Sequence, residues 1–275
     1  VTSSERLAQP VLSNPRAARV REYAKLTRRS ARVKAGLFIV EGPGAIAEAL
    51  AAVPTSGLRA AFMTADAAER HPEILDRAAA RGVEFRECTD DVLAEMADTV
   101  HAQGMIVVCD FLDVSLESVL DARPRLVAVL SQVRDPGNAG TIVRAADAAG
   151  ADAVIVTDAS VDLYNSKTVR STAGSVFHLP IVVGVPLMQI AADVRSAGLQ
   201  ILAADGNQPA VDLFSVDLVP PTAWVFGNEA WGLPAGDRDL ADTAVAVPIY
   251  GRAESLNVAA AAAVCLYASA RSQRQ

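Results

Sequence analysis

Six apolar runs in the second half of the chain, at residues 126–130, 153–156, 177–183, 199–204, 223–226 and 243–249, constrain the fold more than any other feature. Residues 126–130 read Leu-Val-Ala-Val-Leu, with no polar position among them. A strand with one wet face would alternate, so an unbroken run suits a strand covered on both faces of a parallel sheet. Stretches of helical length fill the gaps, at 139–149, 167–173, 187–197 and an alanine-rich one at 256–270, and Gly150 and Gly198 stand where helices would stop. Strand and helix in alternation predict an α/β fold, a parallel sheet with helices on both sides.

The front half alternates too. Phe38-Ile39-Val40 reads as a strand, Pro43 opens a helix that ends near Ala51, and a strand follows at 58–63. A helix at 72–80, a strand at 83–85, a helix at 90–97 and a strand at 105–109 complete a smaller α/β unit. The acidic connection after Asp110, with one helical turn at 116–120, marks the boundary. The expected division is a first domain at 1–110 with a basic arm at 1–36, a linker at 111–123 and a second domain at 124–275, which fits a chain of 275 residues.

A hydrophobic fraction of 51% and a charged fraction of 21% exclude a disordered or collagen-like chain. The three cysteines, Cys88, Cys109 and Cys265, form no CxxC pair and sit within or beside apolar stretches. They read as buried thiols of a reducing compartment rather than a disulfide frame or a zinc site. The N-terminus has no signal-like apolar region, and the longest nearly unbroken apolar run, 258–268, falls short of the roughly 18 residues of a membrane span. A soluble, cytoplasmic protein is expected, with no membrane partner and no metal.

The net charge of −7 at first argues against a nucleic-acid partner. Its distribution argues otherwise. Residues 1–36 hold nine cations (Arg6, Arg16, Arg19, Arg21, Lys25, Arg28, Arg29, Arg32, Lys34) against Glu5 and Glu22, a balance of +7 that leaves −14 for the remainder. Residues 15–34 read as a basic helix and loop, equally a solvated face or a surface for RNA.

Three segments could carry chemistry. Asp135-Pro136-Gly137-Asn138-Ala139-Gly140 follows a strand and opens a helix, with Asn138 placed as its N-cap and Arg144 on its second turn. A capped turn with a solvated arginine explains it as well as a function does. The second segment, Phe226 to Pro234, has Gly227 and Gly232 for close backbone approach and puts Glu229 at the carboxyl end of a strand, where open α/β sheets bind ligands. The third, Val247 to Ala259, ends a strand, passes Gly251 and begins a helix at Ser255 and Asn257. Ser255 reads as an N-cap, and the two polar side chains could equally face a ligand.

Other signatures are missing: no GxGxxG after a strand, no GxxxxGK[ST], no HExxH and no metal-spaced cluster. Of the histidines, His71 and His101 read as exposed, and His178 as buried or structural.

In this order the three segments resemble the SpoU/TrmH family of RNA ribose 2'-O-methyltransferases, of the SPOUT superfamily. Asn138, Gly140 and Arg144 match N-x-G-x-x-x-R. Gly227, Glu229, Gly232 and Leu233 match G-x-E-x-x-G-L. Pro248, Gly251, Ser255, Leu256, Asn257 and Val258 match P-x-x-G-x-x-x-S-L-N-V. Lys167 to Gly174 looks like the family's stretch between the first two motifs, and residues 38–42 with the helix after them resemble its L30e-like substrate-binding domain. Ala259 stands where the family often has serine and Val247 where isoleucine is common; the polar set is intact.

The resemblance implies a C-terminal SPOUT domain with a deep trefoil knot, which periodicity does not reveal and general chain topology disfavours. It implies homodimers with the active site at the subunit interface. S-adenosylmethionine would be held by Ala204, Gly227, Val247, Ile249 and Leu256. Arg144 would be the catalytic arginine, with Asn138, Glu229, Ser255 and Asn257 around it. Arginine is a poor general base, so Arg144 suits a phosphate clamp that also stabilises alkoxide charge. Arg16, Arg19, Arg28, Arg29, Arg32, Lys167 and Arg170 would contact RNA. The expected function is 2'-O-methylation of large-subunit (23S) ribosomal RNA, similar to thiostrepton-resistance enzymes. A tRNA methyltransferase, a non-catalytic RNA-binding protein of this fold and an unrelated nucleotide-binding oxidoreductase are the alternatives, the last disfavoured by the missing glycine fingerprint.

Overall fold

The computed structural model describes residues 10–99, 103–206, 209–228 and 231–275. His101, Glu5, Arg6 and Glu229 lie outside them. The chain divides into two compact units, one of Val1–Phe111 with Tyr164–Phe177, the other of Leu112–Leu163 with His178–Gln275.

In the first unit, α1 (Ala18–Ala24), a 3-10 turn (Lys25–Thr27) and α2 (Arg29–Ala35) precede β1 (Leu37–Glu41) and α3 (Pro43–Ala52). Then come β2 (Leu58–Met63), α4 (Ala65–Arg70), α5 (Pro72–Ala80), β3 (Arg86–Glu87), α6 (Asp90–Met96) and β4 (Met105–Asp110). The sheet order is β1-β4-β2-β3, with β4 antiparallel to both neighbours. Residues 15–34, expected as a basic helix followed by a loop, instead hold α1, the 3-10 turn and α2, with Val20, Tyr23 and Leu26 in the core beside Ile39 and Phe62. Strand pairing expected at 83–85 falls instead on Arg86–Glu87, opposite Phe62 and Met63.

The second unit holds α7 (Leu116–Asp121), β5 (Leu126–Leu130), α8 (Pro136–Ala149) and β6 (Ala153–Thr157). The chain then enters α9 (Ser166–Ser171), which packs with the first unit: Tyr164 stacks on Phe111 (centroids 4.1 Å apart) and meets Phe38 at a tilt (4.7 Å). It returns for β7 (Ile181–Val185), α10 (Leu187–Ser196), β8 (Gln200–Ala204), β9 (Val211–Asp212), β10 (Thr222–Phe226), α11 (Ala235–Arg238), β11 (Thr243–Ala246) and α12 (Val258–Gln273). The sheet order is β7-β6-β5-β10-β8-β11-β9, every pairing parallel. The apolar run at 177–183 is split: a 3-10 turn ends at Phe177 and the strand starts after Pro180, which has no N–H for a ladder.

All five residues of β5, β6 and β10 are buried, as their continuous apolar character requires. On one face Val129, Ile155, Val225 and Ile201 pack with Leu187, Ile190 and Val194 of α10. On the other, Trp224 is fully buried and its indole N–H donates to Ser269 of α12 (2.8 Å). Among the described residues no helix is long and apolar enough to cross a membrane, and no group of three His, Cys, Asp or Glu side chains is placed to hold a metal.

Cys88, Cys109 and Cys265 are buried, and desolvation pushes each thiol up to about 12. A thiolate is the reactive form, so Ellman's reagent at pH 8 is expected to leave the native protein unlabelled and to titrate all three thiols in guanidinium. Rapid labelling of the folded protein would contradict this burial.

Candidate active site

Adjacent strands β8, β10 and β11 end beside one another, and a cavity of about 370 Å³ opens at their carboxyl ends. That lies within the roughly 300–1,000 Å³ of small-molecule sites, and at the end of the sheet where such sites form. Ala204, Gly227, Val247, Ile249 and Leu256, five residues from three separate segments, all line it, together with Ser255. Among the described residues its wall carries the carboxylates Asp205 and Glu254 and no lysine or arginine. Asp205 is buried, with its Oδ2 3.4 Å from the Arg238 Nε.

The loop after β10 is tightly closed. The amides of Asn228 and Gly232 donate to each other's carbonyls (3.0 Å each), and the Asn228 side chain donates to the Gln132 carbonyl (3.2 Å). A Cβ on Gly227 would lie 2.8 Å from the Gly232 carbonyl group, so no side chain fits there without moving backbone.

Two helix starts converge beside the cavity, and their caps differ from expectation. Asp135, not Asn138, caps α8: its Oδ1 accepts from the Asn138 amide (2.9 Å), and Pro136 takes the first helical position. Asn257, not Ser255, caps α12, accepting from the amides of Ala259 (2.9 Å) and Ala260 (3.3 Å). Relieved of capping, the Asn138 side-chain oxygen accepts from the Asn257 Nδ2 (3.0 Å), which ties the two helix starts together. Ser255 is exposed on the loop that lines the cavity.

Arg144 sits six residues beyond Asn138 along α8, about 9 Å of helix rise; it is exposed and does not line the cavity. His178 is not buried: its side chain is 38% exposed and its Nδ1 lies 2.8 Å from the Asp147 carboxylate.

The basic set divides. Arg16, Arg19, Arg28, Arg29 and Lys167 are exposed. Arg32 departs from the expected phosphate-facing role: it is 3% exposed, and its guanidinium donates to the Leu26 carbonyl (2.6 Å) within the 3-10 turn. Arg170 is half-buried and pairs with Glu41 (3.3 Å), which also accepts from the Asp98 amide and the Thr99 hydroxyl. Its charge serves the attachment of α9 to β1. Sequence reasoning passed over Asp205, which follows a buried strand directly, and Asp135, whose Asp-Pro pair is itself a helix-start signal.

Residues 125–267 match the SpoU rRNA Methylase family, and residues 17–107 match an MRM3-like substrate binding domain. The chain is 32% identical over 249 residues to the 23S rRNA (guanosine(2553)-2'-O)-methyltransferase RlmP of Bacillus subtilis, covering 90% of this chain and 94% of that relative. Its fold is similar to an AdoMet-bound rRNA methyltransferase from Sinorhizobium meliloti (TM-score 0.81, 27% identity, 95% and 97% of the two chains). It is also similar to the SpoU methyltransferase AviRb of Streptomyces viridochromogenes in complex with AdoMet (TM-score 0.79, 30% identity, 94% and 98%).

Proposed function

Because the chain belongs to the SpoU rRNA methylase family, we propose that it methylates a ribose 2'-hydroxyl of 23S ribosomal RNA with S-adenosylmethionine as donor. The observation that carries this reading is the convergence of residues 204, 227, 247, 249, 255 and 256 on one cavity. The wall fits the donor: it is mixed in polarity, it carries no lysine or arginine of its own among the described residues, and beside Asp205, which pairs with Arg238, it presents the Glu254 carboxylate, which suits a sulfonium. When bound, S-adenosylmethionine supplies an electrophilic methyl group.

The chain's own residues hold the donor and align the acceptor. Gly227 and the turn closed by Asn228 and Gly232 form one wall, and the loop from Val247 to Leu256 the other. The Asn138–Asn257 bond fixes the first helix start against the second. Arg144 holds the RNA phosphate and stabilises charge on the 2'-oxygen as its proton leaves. Arg16, Arg19, Arg28 and Arg29 of the first unit bind phosphates, so RNA affinity falls steeply with salt.

The active form in this proposal is a cytoplasmic homodimer, in which Arg144 acts across the interface. Two features support it: Arg144 is absent from the cavity wall, and α12 beside α8 leaves Val264 (37%) and Tyr267 (53%) exposed. The strand order, with β10 between β5 and β8 while β11 pairs with β8, supports the trefoil knot of this proposal. Val264→Glu is expected to give a folded monomer by light scattering with little methylation; a fully active monomer would overturn the shared site.

The function itself is tested by incubating the protein with tritiated S-adenosylmethionine and 23S rRNA and mapping the label. Label on a ribose 2'-oxygen is expected. Label on a base, or none, would refute the reading.

A further inference from the structure

The chain has two tryptophans, and the fold uses one of them. Trp224 is fully buried in the sheet core, whereas Trp231 is 50% exposed on the cavity rim, within the loop that the Asn228–Gly232 pairing closes and directly before Gly232. The guanidinium carbon of Arg134 stands 5.3 Å from the centroid of the Trp231 ring. Arg134 is exposed as well, and it lies outside the cavity lining, one residue before the cap of α8. Two planar groups thus stack at the mouth of the site without serving the core.

Indole and guanidinium planes are the surfaces on which unpaired nucleobases stack, and arginine also pairs with phosphate. Charge separates the possible occupants. The wall inside holds Glu254 and an Asp205 already paired with Arg238, with no cation of its own among the described residues, while the rim holds Arg134 and suits a polyanion. A ribose brought to the cavity carries its base with it, and an unpaired base is free to stack on the planar groups at the rim. We infer that Trp231 and Arg134 form a stacking platform for an unpaired RNA base at or beside the methylated nucleotide, so that the enzyme takes its target from a single-stranded element. This inference rests on the ribose-methylation reading above.

Because Trp224 is buried, quenching of tryptophan fluorescence by an added ligand reports on Trp231. Titration of the wild type with an unstructured oligoadenylate is expected to quench the emission, and an RNA duplex of equal length to quench it far less. Trp231→Leu should remove the response and lower kcat/KM for rRNA about 10- to 100-fold, with unchanged S-adenosylmethionine affinity by calorimetry. Trp231→Phe should restore most of the turnover, and Arg134→Ala should weaken the oligoadenylate response. Quenching by S-adenosylmethionine alone would assign the indole to the donor and overturn the inference. Equal quenching by the duplex, or normal kcat/KM in Trp231→Leu, would overturn it too. The fluorescence arm needs no methyl transfer, so its failure is distinguishable from failure of the methylation reading.

Discussion

Arg144→Ala is expected to lower methyl transfer to rRNA by about 100- to 1,000-fold, the usual cost of removing one group that stabilises charge in a transition state. S-adenosylmethionine should bind this variant as it binds the wild type, because Arg144 is exposed on α8 and away from the cavity wall. Folding should be unaffected for the same reason. Arg144→Lys keeps the charge but loses the planar fork that grips phosphate, so it should recover only part of the rate. The measurements are single-turnover methylation and calorimetry of the donor. Turnover close to the wild type in Arg144→Ala would remove the residue from the mechanism.

Gly227→Ala should have the complementary phenotype. The added Cβ would meet the Gly232 carbonyl carbon and oxygen and the Leu233 side chain, all at 2.8 Å. The first two are backbone, so the turn itself must open. Overpacking of this kind costs about 1–3 kcal/mol. Spent on the wall of the cavity, it should weaken S-adenosylmethionine binding about 10- to 100-fold, while RNA binding through the first unit persists. Unchanged donor affinity would show that the turn is not part of the donor site. Co-expressing this variant with Arg144→Ala tests the shared site directly. If Arg144 acts across a two-fold interface, one site of each mixed dimer is intact, and about a quarter of the wild-type activity returns. If it acts within its own chain, the mixture stays as inactive as its parts.

Much of the site was legible in the sequence, because its residues cluster in short segments at strand ends. Asn138, Gly227, Ser255 and Asn257 stand out by residue type and spacing, Leu256 is added by the family resemblance, and the structure gathers them around one cavity and its two adjoining helix starts. The caps were misassigned because Asp135, Asn138, Ser255 and Asn257 are all competent capping types. Which one bonds the free amides depends on where the helix axis begins. Arg32 was misread because it stands in a stretch of cations that suits solvent or phosphate, yet it is buried while its neighbour Val33 is 64% exposed. The Leu26 carbonyl within a 3-10 turn needs a donor, and the Arg32 guanidinium reaches it. Trp231 was visible within its motif, but nothing local pairs it with Arg134, 97 positions earlier in a chain of 275.

The amino-acid sequence by itself determined the parallel α/β architecture, two units, the buried thiols and the three motif segments. Each is written in local terms: an apolar run for a doubly covered strand, a glycine for a close approach, a polar residue at a helix start. Only the tertiary structure decided that residues 164–177 pack with the first unit, that Asn138 bonds Asn257, that Arg32 is spent inside, and that an indole and a guanidinium meet on the rim. These contacts join residues far apart in the chain. They arise from close packing and from the need of each buried polar group for a partner, and no local pattern encodes where that partner will be.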